Sequence, residues 1–446
     1  MPGAIAAGHP LTAEAGARVL AAGGNAVDAC IAAALTAAVV EGPLTGPAGG
    51  GFLLVSSPGE EPVVLDCFFA APSHPLGELE ECVVDFEDAG TQTFWVGEGS
   101  VAVPGLVAGL EEAHSRYATW EWAALVEPAI ALARTGRVPV DPPRAFLHKI
   151  LAGILLRTEA GTRVYGDPEC VATEELVATL ERVRDVGADA VAELVPELAA
   201  DLATYRVQAL VPLESEILGM RVLATPPPSR GGRIVLEILE LLEAAGDPSL
   251  LDKARAVGLA YGATGRGRLT GTTHISILDA SGMAAGLSST LGSGSGVFSG
   301  GTQLNNMLGE LDVIGGGEQT PGERLASMMT PTLVLESGLP RLVVGSAGSV
   351  RLAGAIAQVV WSALRGSGPV GESIDAPRMH VDGSTVHLEG GWAEDATLRL
   401  GDGWEVVRWD GLNLFFGGVQ AVARSADGTL SAAGDPRRGG AGVVVP

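Results

Sequence analysis

Gly271-Thr272-Thr273-His274 runs straight into Ile275-Ser276-Ile277-Leu278-Asp279-Ala280-Ser281-Gly282. A threonine hydroxyl in mid-chain is a poor nucleophile, because no base is built in beside it. Cutting the bond before Thr272 would give that residue a free α-amine about one hydrogen bond from its own Oγ. Such an amine, with an ordinary pKa of about 8, can take the hydroxyl proton as general base. The stretch therefore predicts a self-cleaving precursor whose new N-terminus attacks an amide. A Gly-Thr-Thr before a strand is also a common turn, so the rest of the chain has to decide.

Working outward, Thr273–Leu278 and Met283–Thr290 flank an Asp-Ala-Ser-Gly turn and predict an antiparallel hairpin. Thr332–Glu336 with Leu342–Val344, and Val419–Ala423 with Leu430–Ala433, predict two more. Helix is expected at Gly354–Leu364. Before Thr272 the chain reads differently. Thr12–Leu20 has helical spacing, Asn25 suits an N-cap, and Val27–Val40 continues as a buried helix. After the glycine-rich loop Pro43–Gly51, Phe52–Val55 and Val63–Leu65 read as a strand pair. From Gly105 to Ala245 the pattern is mostly helical: Leu106–Tyr117, Trp120–Arg134, Arg144–Leu156, Glu174–Val186 and Ile234–Ala244. Pro226-Pro227-Pro228-Ser229-Arg230-Gly231-Gly232 interrupts this run and is expected to be non-helical. A helix-rich front and a hairpin-rich back favour a layered α+β fold over a doubly wound parallel sheet.

Composition narrows the function. The chain has 446 residues, 47% hydrophobic and 18% charged, and suits a globular fold with a large core. A formal net charge of −25 argues against nucleic acid or an anionic membrane as partner. Cys30, Cys67, Cys82 and Cys170 lack CxxC spacing, and the seven histidines show no metal-binding pairing, so neither a disulfide framework nor a metal or other cofactor is expected. Met1-Pro2-Gly3-Ala4 has no basic leader character, and Ala29–Val40 is too short to span a bilayer; a cytoplasmic location is the expectation.

The chain resembles the γ-glutamyltranspeptidase family over nearly its whole length. The residues that carry the resemblance are His9-Pro10, Gly23-Gly24-Asn25-Ala26-Val27-Asp28-Ala29, Thr45–Phe52, Pro226–Gly232, Thr272-Thr273-His274, Leu304-Asn305-Asn306, Pro331-Thr332, Ala376–His380 and Asp435–Gly439. The resemblance implies an N-terminal-nucleophile hydrolase: a four-layer αββα sandwich of two antiparallel sheets between helical layers, forming one structural domain. It implies autocleavage between Gly271 and Thr272, giving a large subunit (1–271) and a small one (272–446) that stay together as a heterodimer. Members hydrolyse or transfer γ-glutamyl amides, small molecules, through an acyl-enzyme ester. Thr272 falls on the family's nucleophile and Thr290 on the threonine that orients it. Gly348-Ser349 matches the segment whose backbone N–H groups form the oxyanion hole, with a serine in place of a second glycine.

The substrate-reading positions depart from the family. Its Arg-Glu pair, whose arginine clamps the substrate α-carboxylate, falls on Phe68-Phe69. Losing a charge-assisted bidentate pair forgoes about 2–3 kcal/mol. The asparagine expected two residues after Thr290 is Gly292, and the glutamine or glutamate after Asn306 is Met307. The acid that holds the substrate amine falls on Glu310, and the paired serines fall on Ser327 and Met328. The stretch from Leu242 to Thr272 is short for the family. An amidohydrolase or acyltransferase with altered acyl specificity is thus the leading expectation. The alternatives are orthodox γ-glutamyl turnover, with the carboxylate held by Arg230 or Arg351, and an unprocessed scaffold without activity.

Overall fold

In a computed structural model, which describes residues 3–85, 91–262, 271–315, 317 and 319–446, two antiparallel sheets lie face to face between helical layers. Met1-Pro2, and residues 263–270 in the short stretch ahead of Thr272, lie outside the described residues.

Thirteen strands build the two sheets: β1 (Gly3–Ala7), β2 (Gly50–Ser56), β3 (Val63–Cys67), β4 (Gln208–Leu210), β5 (Leu213–Ile217), β6 (Met220–Ala224), β7 (Gly271–Asp279), β8 (Ala284–Gly292), β9 (Thr332–Glu336), β10 (Leu339–Ala347), β11 (Gly418–Arg424), β12 (Leu430–Gly434) and β13 (Ala441–Val445). The first sheet has the order β13-β1-β7-β8-β2-β3-β4, and the second β12-β11-β10-β9-β6-β5. Strands from both ends of the chain interleave in each sheet. The helix-rich front and the hairpin-rich back are therefore not separate layers. β7 shows the consequence: Ile275 and Ile277 face the helices over the first sheet, while Leu278 packs between the sheets.

Five helices cover the first sheet: α1 (Pro10–Ala21), α2 (Ala26–Val40), α3 (Leu106–Tyr117), α4 (Trp122–Ala133) and α5 (Glu174–Val186). α2 is buried at all 15 of its positions, which its Ala/Val-rich sequence permits on every face. Asn25 starts it, accepting from the N–H groups of Val27 and Asp28, while the Asp28 carboxylate accepts from Asn25 N–H. Outside the second sheet pack α6 (Gly231–Ala244), α7 (Leu250–Tyr261) and α8 (Leu352–Arg365).

Two segments differ from the sequence expectation. Leu213–Ala224, inside the span read as mostly helical, is a hairpin. Its turn residues Leu218 and Gly219 have φ of 51° and 74°, the doubly left-handed pattern that matches strand twist. Arg144–Leu156, read as one helix, breaks at Leu151 into Pro142–Ile150 and Ala152–Leu155. The Pro226–Gly232 interruption ends early, since α6 already begins at Gly231.

Candidate active site

The β7–β8 hairpin places two threonines side by side. Between Gly271 and Thr273 the register shifts, so that Gly271 lies opposite Gly292 and Thr273 opposite Ser289. Thr272 sits in this irregularity, the kind of ladder disruption that re-aims a side chain. It is 3% exposed and lines a pocket together with Thr290 of β8. The single hydroxyl proton of Thr290 is donated to the carbonyl oxygen of Gly271. A lone pair on Thr290 Oγ1 itself accepts Gly292 N–H at 2.8 Å. The carbonyl ahead of Thr272 is thus polarised by a hydroxyl that is itself held in place. In the continuous chain the pocket offers about 30 Å³, room for little more than one water.

The opposite wall is apolar. Phe68, Met307, Met328, Met329, Val313 and Leu352 line it. Phe68 follows β3 and is 1% exposed; its ring stacks on Phe52 at 5.2 Å. Its backbone is fixed at both ends, with N–H donated to Asp66 Oδ1 (2.8 Å) and C=O accepting the Tyr205 hydroxyl (2.6 Å). Behind it the Arg324 guanidinium lies 3.3 Å from Asp66 Oδ1 and over the Tyr205 ring. Burial nevertheless pushes the Asp66 carboxyl above its ordinary pKa, against the pull of Arg324.

Glu310 is the one charged side chain in the lining among the described residues. Its Oε1 accepts Ser293 N–H (3.2 Å) and the Ser293 hydroxyl (3.1 Å). Gly292 has φ of 69°, and a Cβ there would fall 2.2 Å from Asn306 Oδ1. Glycine is required at this position, and the Asn306 amide occupies the space a side chain would take. Ser327 also lines the pocket, and its Oγ accepts Met329 N–H at 3.1 Å.

Ser349 completes the lining, with φ of 58°. Gly348 does not reach it; its backbone, at φ 134°, packs against Gly417, where a Cβ would fall 2.8 Å from Gly417 Cα. Phe69 also stays outside, edge-on to Phe68 at 5.0 Å and with its ring beneath Gly50. Arg230 donates to the Val313 carbonyl, and Arg351 lies over the Phe415 ring at 4.3 Å; neither lines the pocket.

Sequence reasoning did not single out two supports behind the threonines. Thr273, on the opposite face, donates to Glu41 Oε2 at 2.6 Å, and Thr12 donates to Oε1 at 2.8 Å. His274 bridges the sheets. Ser276 gives its hydroxyl proton to Gln420 C=O (3.0 Å), so His274 Nε2 carries the proton it donates to Ser276 (2.9 Å), and Nδ1 accepts from Ser288 (2.8 Å). Complete burial lowers its pKa to about 3 and keeps the ring neutral. The TTH triplet was the available signal, since a strand residue flanking a reactive one points away from it.

No group of three or more His, Cys, Asp or Glu side chains that could hold a metal ion occurs among the described residues, and no helix there is long and apolar enough to cross a membrane. Comparison with known proteins agrees with this architecture. The Gamma-glutamyltranspeptidase family model matches residues 12–262 and 251–445. The chain is similar to the acylase ACY 1 proenzyme of Pseudomonas sp. (strain SE83), at 27% identity over 99% of this chain and 93% of that protein. It is also similar to the glutathione hydrolase proenzyme of Escherichia coli (strain K12), at 26% identity over 98% and 90%. Among solved structures, a cephalosporin acylase from Bacillus halodurans shares the fold, with a TM-score of 0.81 and 21% identity over 99% of this chain and 95% of that one.

Proposed function

Because the chain belongs to the gamma-glutamyltranspeptidase family and is an amide hydrolase or acyltransferase of it, we propose that it cuts itself before Thr272 and then works through that threonine. The observation that carries the reading is the Thr290 hydroxyl donated onto the Gly271 carbonyl. In self-cleavage the Thr272 Oγ adds to that carbonyl carbon, the C–N bond breaks, and the nitrogen takes up the Oγ proton to become the α-amine of Thr272. Water then hydrolyses the resulting ester and frees the 1–271 portion, which stays with 272–446 as a two-subunit protomer. The proenzyme names of the two relatives favour this course.

In turnover the Thr272 amine takes the Oγ proton, Oγ attacks a small-molecule amide, and the amine product leaves with that proton. The backbone N–H of Ser349, the residue of the Gly348-Ser349 segment that lines the pocket, serves the developing oxyanion. The acyl ester passes to water or to an amine. The acyl group is less charged than γ-glutamyl where it meets Phe68. That reading is supported by a lining with no lysine, arginine or histidine among the described residues. A carboxylate there would be desolvated against Phe68 and the methionines without a cation, and Arg230 and Arg351 are engaged elsewhere.

Two measurements test the proposal. Denaturing gels with N-terminal sequencing should find a fragment beginning Thr-Thr-His-Ile; a chain that stays whole on prolonged incubation is a scaffold. The processed protein should turn over uncharged acyl anilides. Turnover of a γ-glutamyl anilide alone would remove the specificity argument.

A further inference from the structure

Ser349 combines three observations. It adopts φ of 58°, a left-handed backbone conformation that serine rarely takes. It is 4% exposed. Its Oγ has no hydrogen-bond partner, although it lines the same pocket as Thr272. A buried hydroxyl without a partner and a left-handed side-chain-bearing residue are each unfavourable, and here they coincide.

The surroundings hold the residue in this state. Ser349 lies between β10 and α8, three residues before the start of that 14-residue helix. The Tyr261 hydroxyl donates to Val350 C=O (2.6 Å) and accepts Gly354 N–H (2.9 Å). Arg351 is laid over the Phe415 ring, which stacks on Trp409 at 4.8 Å. The chain on the C-terminal side of Ser349 is therefore clamped, and the positive end of α8 faces the pocket through Leu352.

We propose that the Ser349 hydroxyl is a catalytic donor, giving its proton in a hydrogen bond to the carbonyl oxygen of a bound amide as that oxygen becomes an oxyanion. The inference rests on acyl transfer by Thr272. When Oγ of Thr272 bonds to the carbonyl carbon, the π pair moves onto oxygen and the Oγ proton goes to the Thr272 amine. Collapse re-forms the carbonyl, breaks the C–N bond and returns that proton to the leaving amine. Elsewhere in the lining the Thr290 proton is committed to Gly271, Glu310 is an acceptor held by Ser293, and Ser327 is fixed by the Met329 N–H that its Oγ accepts. The Ser349 hydroxyl is buried with no partner of its own, and it stands at the helix end where a negative charge is best tolerated.

The test compares Ser349→Ala and Ser349→Gly with the parent, all as self-cleaved protein. The probe is a p-nitrophenyl acyl ester, followed by nitrophenolate release and by the mass gained on the small subunit. Alanine keeps the Cβ and the left-handed strain but removes the hydroxyl; glycine removes both and keeps the N–H. Both variants should acylate about tenfold to a hundredfold more slowly at saturation, with KM nearly unchanged. Ser349→Gly should also melt higher. Acylation by Ser349→Gly at the parent rate, or a rise in KM with kcat intact, would overturn the proposal. A parent chain that never cuts itself sinks the earlier reading instead; a cut Ser349→Ala chain with full activity sinks this one alone.

Discussion

The two walls of the pocket are built in different ways. The wall of Thr272, Thr290 and Gly292 comes from one hairpin, where the strand ladder and backbone hydrogen bonds set every position. The wall of Phe68, Met307 and Met328 comes from three segments far apart in sequence, held by side-chain packing around Phe52, Phe69 and Met329. A ladder shift on the first wall displaces the threonines together. A side chain on the second can be replaced while the hairpin stays put. Reaction and recognition are therefore separable in this molecule, and each of the following changes strains that separation at a different point.

The largest effect belongs to Thr272→Ala, which should leave a single uncut chain on a denaturing gel and no anilide turnover, because nothing else on the hairpin replaces its Oγ. Thr290→Val removes the hydroxyl that polarises Gly271 and should slow self-cleavage about a hundredfold, the usual cost of one oxyanion donor. Time-resolved gels would show it, and cutting at the parent rate would break the assignment of Thr290 to the first wall. Phe68→Arg acts on the second wall alone. It should shift the ratio of kcat/KM values toward γ-glutamyl over uncharged acyl anilides by about tenfold to a hundredfold. The same change should cost about 2–4 kcal/mol of stability, since a fully buried ring is exchanged for a charge. Self-cleavage should survive it.

The smallest effect is a pH dependence seated behind the first wall. His274 has a folded pKa of about 3, below the ordinary 6.5. The unfolded chain therefore takes up a proton first as pH falls. Stability is fully present above about pH 6.5 and is lost down toward pH 3, by about 2 kcal/mol at pH 5. Urea unfolding at pH 7 and pH 5 would measure this, and His274→Asn should remove that share of the slope.

Much of this was legible from the chain. The three hairpins of the back half and the Asn25 cap follow from turn and capping chemistry, and the strands pair as expected. Phe68, Met307, Glu310, Ser327 and Met328 line one pocket with Thr272. Leu213–Ala224 was not legible, because LESEI-LG-MRVLA carries no Asn-Gly or Asp-Gly turn signal and lies in a mostly helical stretch. Nor was the fate of Phe69, adjacent to Phe68 yet pointing into the core beneath Gly50. Two neighbours leaving a strand part to opposite sides, and sequence adjacency hides this.

By itself the sequence determined the family and the layered α+β class, and it marked the Gly271–Thr272 bond as the one proposed to be cut; these depend on residue types in order. Only the tertiary structure decided that Ser349 is left-handed with an unpartnered hydroxyl, that Gly292 must lack a side chain, and that Arg324 serves Asp66 behind the pocket. Each of these is a consequence of close approach between segments remote in sequence, and local propensity carries no record of such distances.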